Sequence, residues 1–404
     1  MLLSLALGAA LSATVALAGT ARQAVAASSE RMVFSSNRTT GTGVNNPTGD
    51  YEIFRMNPDG TGVRQLTFNK GADYAPDLSP DGKKIVYTSR SVQVSNPDGD
   101  YEVYVMNTVD GSGKRNLTNN GADIHDYYPH YSPGGKRIAY TSYGIQRSNP
   151  EGDSEVYVVN ALDGTGKKNL TNNGVEVNGA APVDDYDPIF SPGGKRIAYQ
   201  SAGNQASNPE GDSEVYGMSA LDGTGKKNLT NTDLEVVDFS PTFSPDSTRI
   251  AYTSFGKQTS NLEGDYEIYA MNASDGSGQA NLSNSGADVF DHSPTFSPGG
   301  KRIAYTSFGI QPSNPEGDFE VYRTKALDGS GQMNLTDNAV EVDDSRPRFS
   351  SDGTRVFYES EGIQTSNPEG DHEMYRMNAA DGWGKRNLTD NKVAFDGHYA
   401  PIQM

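Results

Sequence analysis

Cysteine is absent from all 404 residues, so the chain has no disulfide framework, no thiolate metal site and no cysteine nucleophile. Positive charge is scarce: 33 Lys and Arg stand against 52 Asp and Glu, a net charge of −19. Nucleic acid and anionic membrane surfaces attract Lys/Arg excess, and this balance argues against both. Cationic partners, divalent metals and basic peptides are favoured instead, although acidity also keeps an exported protein in solution. No helical period and no Gly-x-Ser-x-Gly elbow occurs, which excludes the common serine-hydrolase arrangement. The five histidines, His125, His130, His292, His372 and His398, are scattered without metal-ligand spacing. Glycine (45) and tyrosine (22) are abundant instead, as in a turn-rich all-β protein.

A block of about fifty residues recurs seven times, each copy marked by Gly-Asp-x-Glu, beginning at Gly49, Gly99, Gly152, Gly211, Gly264, Gly317 and Gly370. Asp100 to Asp153 spans 53 positions, and so do the steps from Asp212 to Asp265, Asp318 and Asp371. The step into Asp212 is longer because residues around Val175–Val183 are inserted there. Within one copy, Tyr128–Tyr131 is predicted as a short first strand ended by the turn Ser132-Pro133-Gly134-Gly135. Arg137–Ser142 is a β-rich second strand, and Glu155–Asn160 a third, closed by Asp163-Gly164-Thr165-Gly166. Lys168–Thr171 makes the fourth. Four antiparallel strands per repeat form one blade of a β-propeller.

The second strand appears seven times, from Met32-Val33-Phe34 to Val356-Phe357-Tyr358, but the proline-bearing first strand is complete only six times. Tyr399-Ala400-Pro401-Ile402 lines up with Tyr74-Ala75-Pro76-Asp77 and supplies the seventh. The fold expected is therefore an all-β, seven-bladed β-propeller, with the C-terminal strand joining the N-terminal blade to close the ring and protect its edges. Residues 1–27 stand apart: Leu2–Ala18 is an apolar run and Ala24–Ala27 offers small residues for cleavage, although the first basic residue is Arg22. These residues are read as a signal peptide and 28–404 as the propeller. The mature chain is then periplasmic or extracellular, with no membrane insertion and no lipid-bearing cysteine.

The motifs Pro-x-Phe-Ser-Pro-x-Gly, Lys-Arg-Ile-Ala-Tyr, Asp-Gly-x-Gly and Asn-Leu-Thr resemble the WD-like repeat of TolB-type propellers over nearly all of residues 31–404. That resemblance implies a non-catalytic protein that receives a peptide or protein segment at the channel mouth. Similar blades occur in prolyl-oligopeptidase-type enzymes and oligogalacturonate lyases. The resemblance to TolB is partial: TolB has six blades plus an extra N-terminal domain, and neither that domain nor a Tol-specific segment is expected in this sequence.

The Ser-Pro-x-Gly and Asp-Gly-x-Gly turns fall on one face of the disc, and the Asn-Pro-Glu-Gly-Asp loops on the other. Long loops on a rigid scaffold are the usual place for binding. Three residues before each first-strand proline stands an acid: Asp73, Asp126, Asp185, Asp238, Asp291 or Asp344, with His398 in the composite blade. Six like charges around one mouth would attract a cation or a basic segment; the alternative is that each caps its own turn. Aromatics follow at Tyr74, Tyr127 and Tyr186, able to stack on a cation or a sugar, or to fill the space between blades.

The loops carry oxygen donors at Asn96, Asp98, Asp100 and Glu102, and at Asn149, Glu151, Asp153 and Glu155, loosely like a calcium loop. A rigid turn explains the same residues without metal. The reading carried forward is an exported, monomeric binding propeller with a protein or peptide partner bearing basic residues, no catalytic residue, and calcium as the one cofactor considered. The alternatives are a polysaccharide-binding or metal-dependent lyase propeller, with His125, His292 and His398 near one mouth, and a calcium-stabilised scaffold.

Overall fold

The computed structural model describes residues 31–41, 43–173, 182–232, 235–338 and 342–390. The predicted signal peptide, most of the 175–183 insertion, His398 and the closing strand at 399–402 lie outside the described residues.

Seven antiparallel sheets follow one another along the chain, six of four strands and a first of three. Blade 4 shows the pattern: Asp184–Phe190, Arg196–Ala202, Ser213–Ser219 and Lys227–Asn228 pair in sequence order from the channel outward. Blade 1 consists of Met32–Ser36, Glu52–Met56 and Arg64–Gln65 among the described residues. Strands consecutive in sequence are neighbours in every sheet, which is why the repeat can be read blade by blade.

The second and third strands are buried along almost their whole length rather than alternately, because each sheet is covered on both faces by its neighbours. Val86, Val103 and Leu117 of blade 2 pack with Ile138, Tyr140 and Tyr157 of blade 3. The opposite face of blade 3, through Ala139, Val156 and Val158, packs on Ile197, Tyr199 and Tyr216 of blade 4. The same packing closes the circle: Phe357, Met374 and Leu388 of blade 7 join Met32, Phe34, Phe54 and Met56 of blade 1.

A backbone contact repeats with the same closure. In each Asp-Gly-x-Gly turn the first glycine has positive φ and lies against the Leu of Asn-Leu-Thr, or its counterpart, in the preceding blade. A Cβ on Gly276 would meet the Leu229 carbonyl oxygen at 1.9 Å, and one on Gly60 would meet that of Leu388 at 2.8 Å. Glycine is required there because a neighbouring backbone occupies the space.

The inner strands differ from expectation. In blade 3 the strand is His125–Tyr131, three residues longer than predicted, and its register shifts between Tyr127 and His130. Tyr128, just before Pro129, sits at φ 49°. Proline excludes the right-handed helical region for the residue before it, and the extra residue of the bulge takes a left-handed conformation instead. Ala75, Asp187, Ser240, Ser293 and Arg346 repeat this in the other five blades. The outer strand is shorter than predicted, Lys168–Asn169 in blade 3.

Candidate functional site

At the long-loop end of each blade, Gly-Asp-x-Glu delivers its Glu to the start of the third strand. Thr171 of Asn-Leu-Thr accepts the Val156 N–H at 2.8 Å and donates its hydroxyl to Glu155 Oε2. Glu155 Oε1 accepts the Asn173 N–H at 3.0 Å, and Asn173 Nδ2 donates to Asp185 Oδ2 at 2.6 Å. The node recurs through Thr336, Glu320, Asn338 and Asp344, the last link being 2.7 Å. Blade 2 repeats it with Thr118, Glu102, Asn120 and, in the next blade, Asp126. The hydroxyl of these Asn-Leu-Thr motifs, Ser283 taking the place of Thr in blade 5, is thus engaged inside the blade.

The six aspartates therefore occupy a different environment from the exposed ring of charge expected. Asp73, Asp126 and Asp238 are 0% exposed, and Asp185, Asp291 and Asp344 are 1% exposed. The carboxylates sit behind the mouth, in contact with the node, because the Asn, Thr or Ser two residues beyond the node Thr (Ser283 in blade 5) closes over them. Burial raises their pKa, to about 6 for Asp73 and Asp291 and about 7 for Asp185 and Asp344. Burial, then the charge of the neighbouring Asp, raises Glu52 to about 9, Glu102, Glu267 and Glu320 to about 8, and Glu155 to about 7. Two carboxyls sharing one buried site retain a proton near neutral pH.

The Asn-Pro-Glu-Gly-Asp loops are built as rigid turns. Asn149 Nδ2 donates to the Asp153 carbonyl at 2.7 Å, while its Oδ1 accepts the Gly152 N–H at 3.1 Å. Asn96 does the same with Asp100 and Gly99 at 2.8 and 3.1 Å. Asn96, Asn149, Glu102 and Glu155 are thereby committed to protein partners; the loop acids Asp98, Asp100, Glu151 and Asp153 are not engaged in this way.

Aromatic rings cover the same end of the molecule in two arcs. In the first, Tyr101 meets Tyr74 at 5.6 Å, Tyr127 at 5.0 Å and His125 at 5.6 Å between ring centroids. His125 stacks parallel to Tyr143 at 6.3 Å. In the second, Phe255 stacks on Tyr266 at 4.6 Å, Tyr266 meets Phe290 at 5.8 Å, and Phe308 stacks on Phe319 at 4.6 Å. Phe239 and Tyr266 of blade 5 and Phe290, His292, Phe308 and Phe319 of blade 6 line a depression of about 290 Å³ between these two blades. Burial, and then the charge of Arg346, lowers His292 to about 4, so it faces this depression as a neutral ring at pH 7.

Sequence reasoning found Tyr74 and Tyr127 but missed Tyr101, Tyr266 and Phe319, which follow Gly-Asp, and Tyr143, Phe255 and Phe308, which end the second strand. Both positions were legible as Gly-Asp-[Tyr/Phe]-Glu and Thr-Ser-[Tyr/Phe]-Gly. In blade 4, where Tyr186 lies on the inner strand, these positions hold Ser213 and Ala202, and the arcs are interrupted there. Of the histidines, His125 and His292 belong to different arcs, His130 pairs with Asp77 at 3.6 Å and His372 with Glu361 at 2.7 Å.

No family model matches the chain. A TolB homolog of Chlorobium luteolum is 44% identical over 41 residues, 10% of this chain and 9% of that protein. The oligogalacturonate lyase of Vibrio parahaemolyticus superposes with a TM-score of 0.56 at 12% identity, over 90% of this chain and 89% of the lyase. A puromycin-hydrolysing peptidase of Mycobacterium tuberculosis gives 0.57 at 14% identity, over 84% of this chain and 50% of the peptidase. TolB of Acinetobacter baumannii gives 0.47 at 18% identity, over 75% of this chain and 63% of that one. The chain is a seven-bladed β-propeller with TolB-like blades; at these identities the structural likeness is one of fold.

Proposed function

We propose that this is an exported, non-catalytic binding propeller that takes up an extended, basic segment of a protein or peptide partner across its long-loop face. The observation that carries the reading is the aromatic-lined depression of about 290 Å³ and the ring arcs that continue from it. Exposed rings on a rigid scaffold offer large contact area at small entropic cost, and their faces attract Lys and Arg. The negative field on this face belongs to the exposed loop acids Asp98, Glu210, Glu263, Glu316 and Glu369 rather than to the buried aspartates. Ile145, Leu262, Ile310 and Ile363 stand more than 70% exposed on the same loops, a spacing of apolar groups suited to a protein surface. Export rests on the Leu2–Ala18 apolar run. The reading includes closure of the ring by residues 399–402 as the inner strand of blade 1, which has three strands among the described residues.

The test is a peptide array of defined sequences probed with the mature protein and with a Tyr266→Ser/Phe308→Ser variant. Peptides combining Lys or Arg with apolar residues should be enriched, should weaken as salt rises, and should be lost in the variant. Retention of oligosaccharides with no enriched basic peptide would favour the carbohydrate-binding alternative and overturn this reading.

A further inference from the structure

The inner strands bury one set of side chains and leave another partly exposed. In blade 6, Asp291, Pro294 and Phe296 are buried, while His292, Ser293 and Thr295 are not. Inner strands of successive blades are neighbours around the ring, so the residues on either side of the proline face the central channel. Ser and Thr hold these two positions in blades 5 and 6. Blades 2 to 4 place Asp77, His130 and Asp187 among them. Among the described residues, blade 7 alone puts guanidinium groups there, Arg346 and Arg348.

The acids of this wall are answered by their neighbours. His130 pairs with Asp77 at 3.6 Å, and Gln200 donates to Asp187 at 3.0 Å. The blade 7 wall is balanced differently. Glu359 stands on the second strand where blades 4 and 6 hold Gln200 and Thr306. It is 4% exposed and already bridged by Arg346 Nη1 at 3.0 Å. Arg348 donates from Nη1 to its own Pro347 carbonyl at 3.0 Å, and the charges acting on it are those of Glu359 and Arg346. Among the described residues Arg348 therefore has no acid of its own. The charge of Arg346 also reaches His292, which lines the aromatic depression, so the arginines stand beside that depression.

We propose that Arg348, with Arg346 beside it, is a carboxylate site in the channel that takes the C-terminal carboxylate of the bound segment, so that the segment enters end-first. The inference rests on the peptide-binding reading above. A guanidinium group is always charged, and its planar fork matches a carboxylate with two parallel hydrogen bonds. A basic segment lying on the aromatic depression carries one carboxylate without fail, at its end. A channel ringed by inner strands admits a chain end more readily than the middle of a chain. Capture of a terminal carboxylate is a recurring mode of peptide recognition. The depression then supplies contact area for the side chains, and Arg348 sets the direction and register of the segment.

The probe is a set of hexapeptides combining Lys or Arg with apolar residues, labelled at the N-terminus and titrated by fluorescence polarisation. Each is made twice, with a free C-terminal carboxylate and with an amide. The net charge of −19 favours the amide, which lacks one negative charge, so a preference for the acid reports a local cation. The free acids should bind about tenfold more tightly. Arg348→Gln should bring the acid-to-amide ratio to about one, and Arg348→Lys, which keeps the charge but not the fork, should retain part of it. Tyr266→Ser/Phe308→Ser should weaken both forms alike. Equal affinity of acid and amide, with the dependence on Tyr266 and Phe308 kept, would overturn this inference and leave the peptide reading standing. Binding of neither form would overturn both. An Arg348→Gln variant that loses acid and amide equally would make the arginine a structural residue and sink the site. Amides ending in Glu that match the free acids would replace the chain end with a side chain and overturn end-first entry.

Discussion

Asp344 shows how a residue's position can be legible while its role is not. Its spacing from Pro347 places it at the long-loop end of an inner strand, and the structure has it there. Its burial depends on Glu320, Thr336 and Asn338, which lie up to 24 positions away and meet it only once the blade has folded. A sequence in which six blades carry the same acid reads as a ring of charge; the contacts that enclose each acid are tertiary and leave no local signature. The consequence is testable. Asp344→Ala leaves the Asn338 amide and the node without its acceptor, and is expected to lower the unfolding free energy by about 1–3 kcal/mol. Asp344→Asn, which resembles the protonated acid, should lose less. Urea midpoints of the two variants compare them directly, and an unchanged midpoint for the alanine variant would show that the carboxyl contributes nothing to the blade.

Among the elements, the second and third strands were the most legible, because both faces are buried and runs such as Ile-Ala-Tyr and Glu-Val-Tyr recur at fixed spacing. The inner strands were misjudged at their start, since proline marks a strand boundary in most contexts and here marks a bulge inside one. The tight turns were placed correctly from Asp-Gly-x-Gly, but the two glycines of that motif do different work. Gly225 has φ 65° and open space around its would-be Cβ, whereas Gly276 has φ 74° and the Leu229 carbonyl oxygen 1.9 Å from it. Gly225→Ala is expected to cost about 1–2 kcal/mol, the price of a left-handed L-residue. Gly276→Ala adds a backbone collision between blades 4 and 5 and should cost at least twice as much. Equal melting temperatures for the two variants would mean that blade spacing relaxes freely at this contact.

At the scale of the whole molecule, the count of seven was legible because repetition itself encodes it, and the packing of Phe357 and Met374 on Met32 and Phe34 closes the circle. What repetition also multiplies is the buried acid pair, and this makes stability depend on pH in a direction opposite to that of most acidic proteins. Unfolded Asp and Glu titrate near pH 4. In the folded ring, burial holds Asp73, Asp185, Asp291 and Asp344 at about 6–7 and Glu52, Glu102, Glu155, Glu267 and Glu320 at about 7–9. Between those limits the folded state binds more protons than the unfolded state, so the slope of stability against pH is negative. The exposed turn aspartates, such as Asp59 and Asp163, are shifted below their usual value by hydroxyl and backbone donors and titrate below this window. The stabilisation from the raised carboxyls is therefore complete near pH 4 and is lost as pH rises through about 6–9. Melting temperatures measured at constant ionic strength should fall steadily from pH 5 to pH 8. A melting temperature that rises over the same interval would mean that the nodes hold their carboxylates ionised, with cations or water supplying what the protein does not.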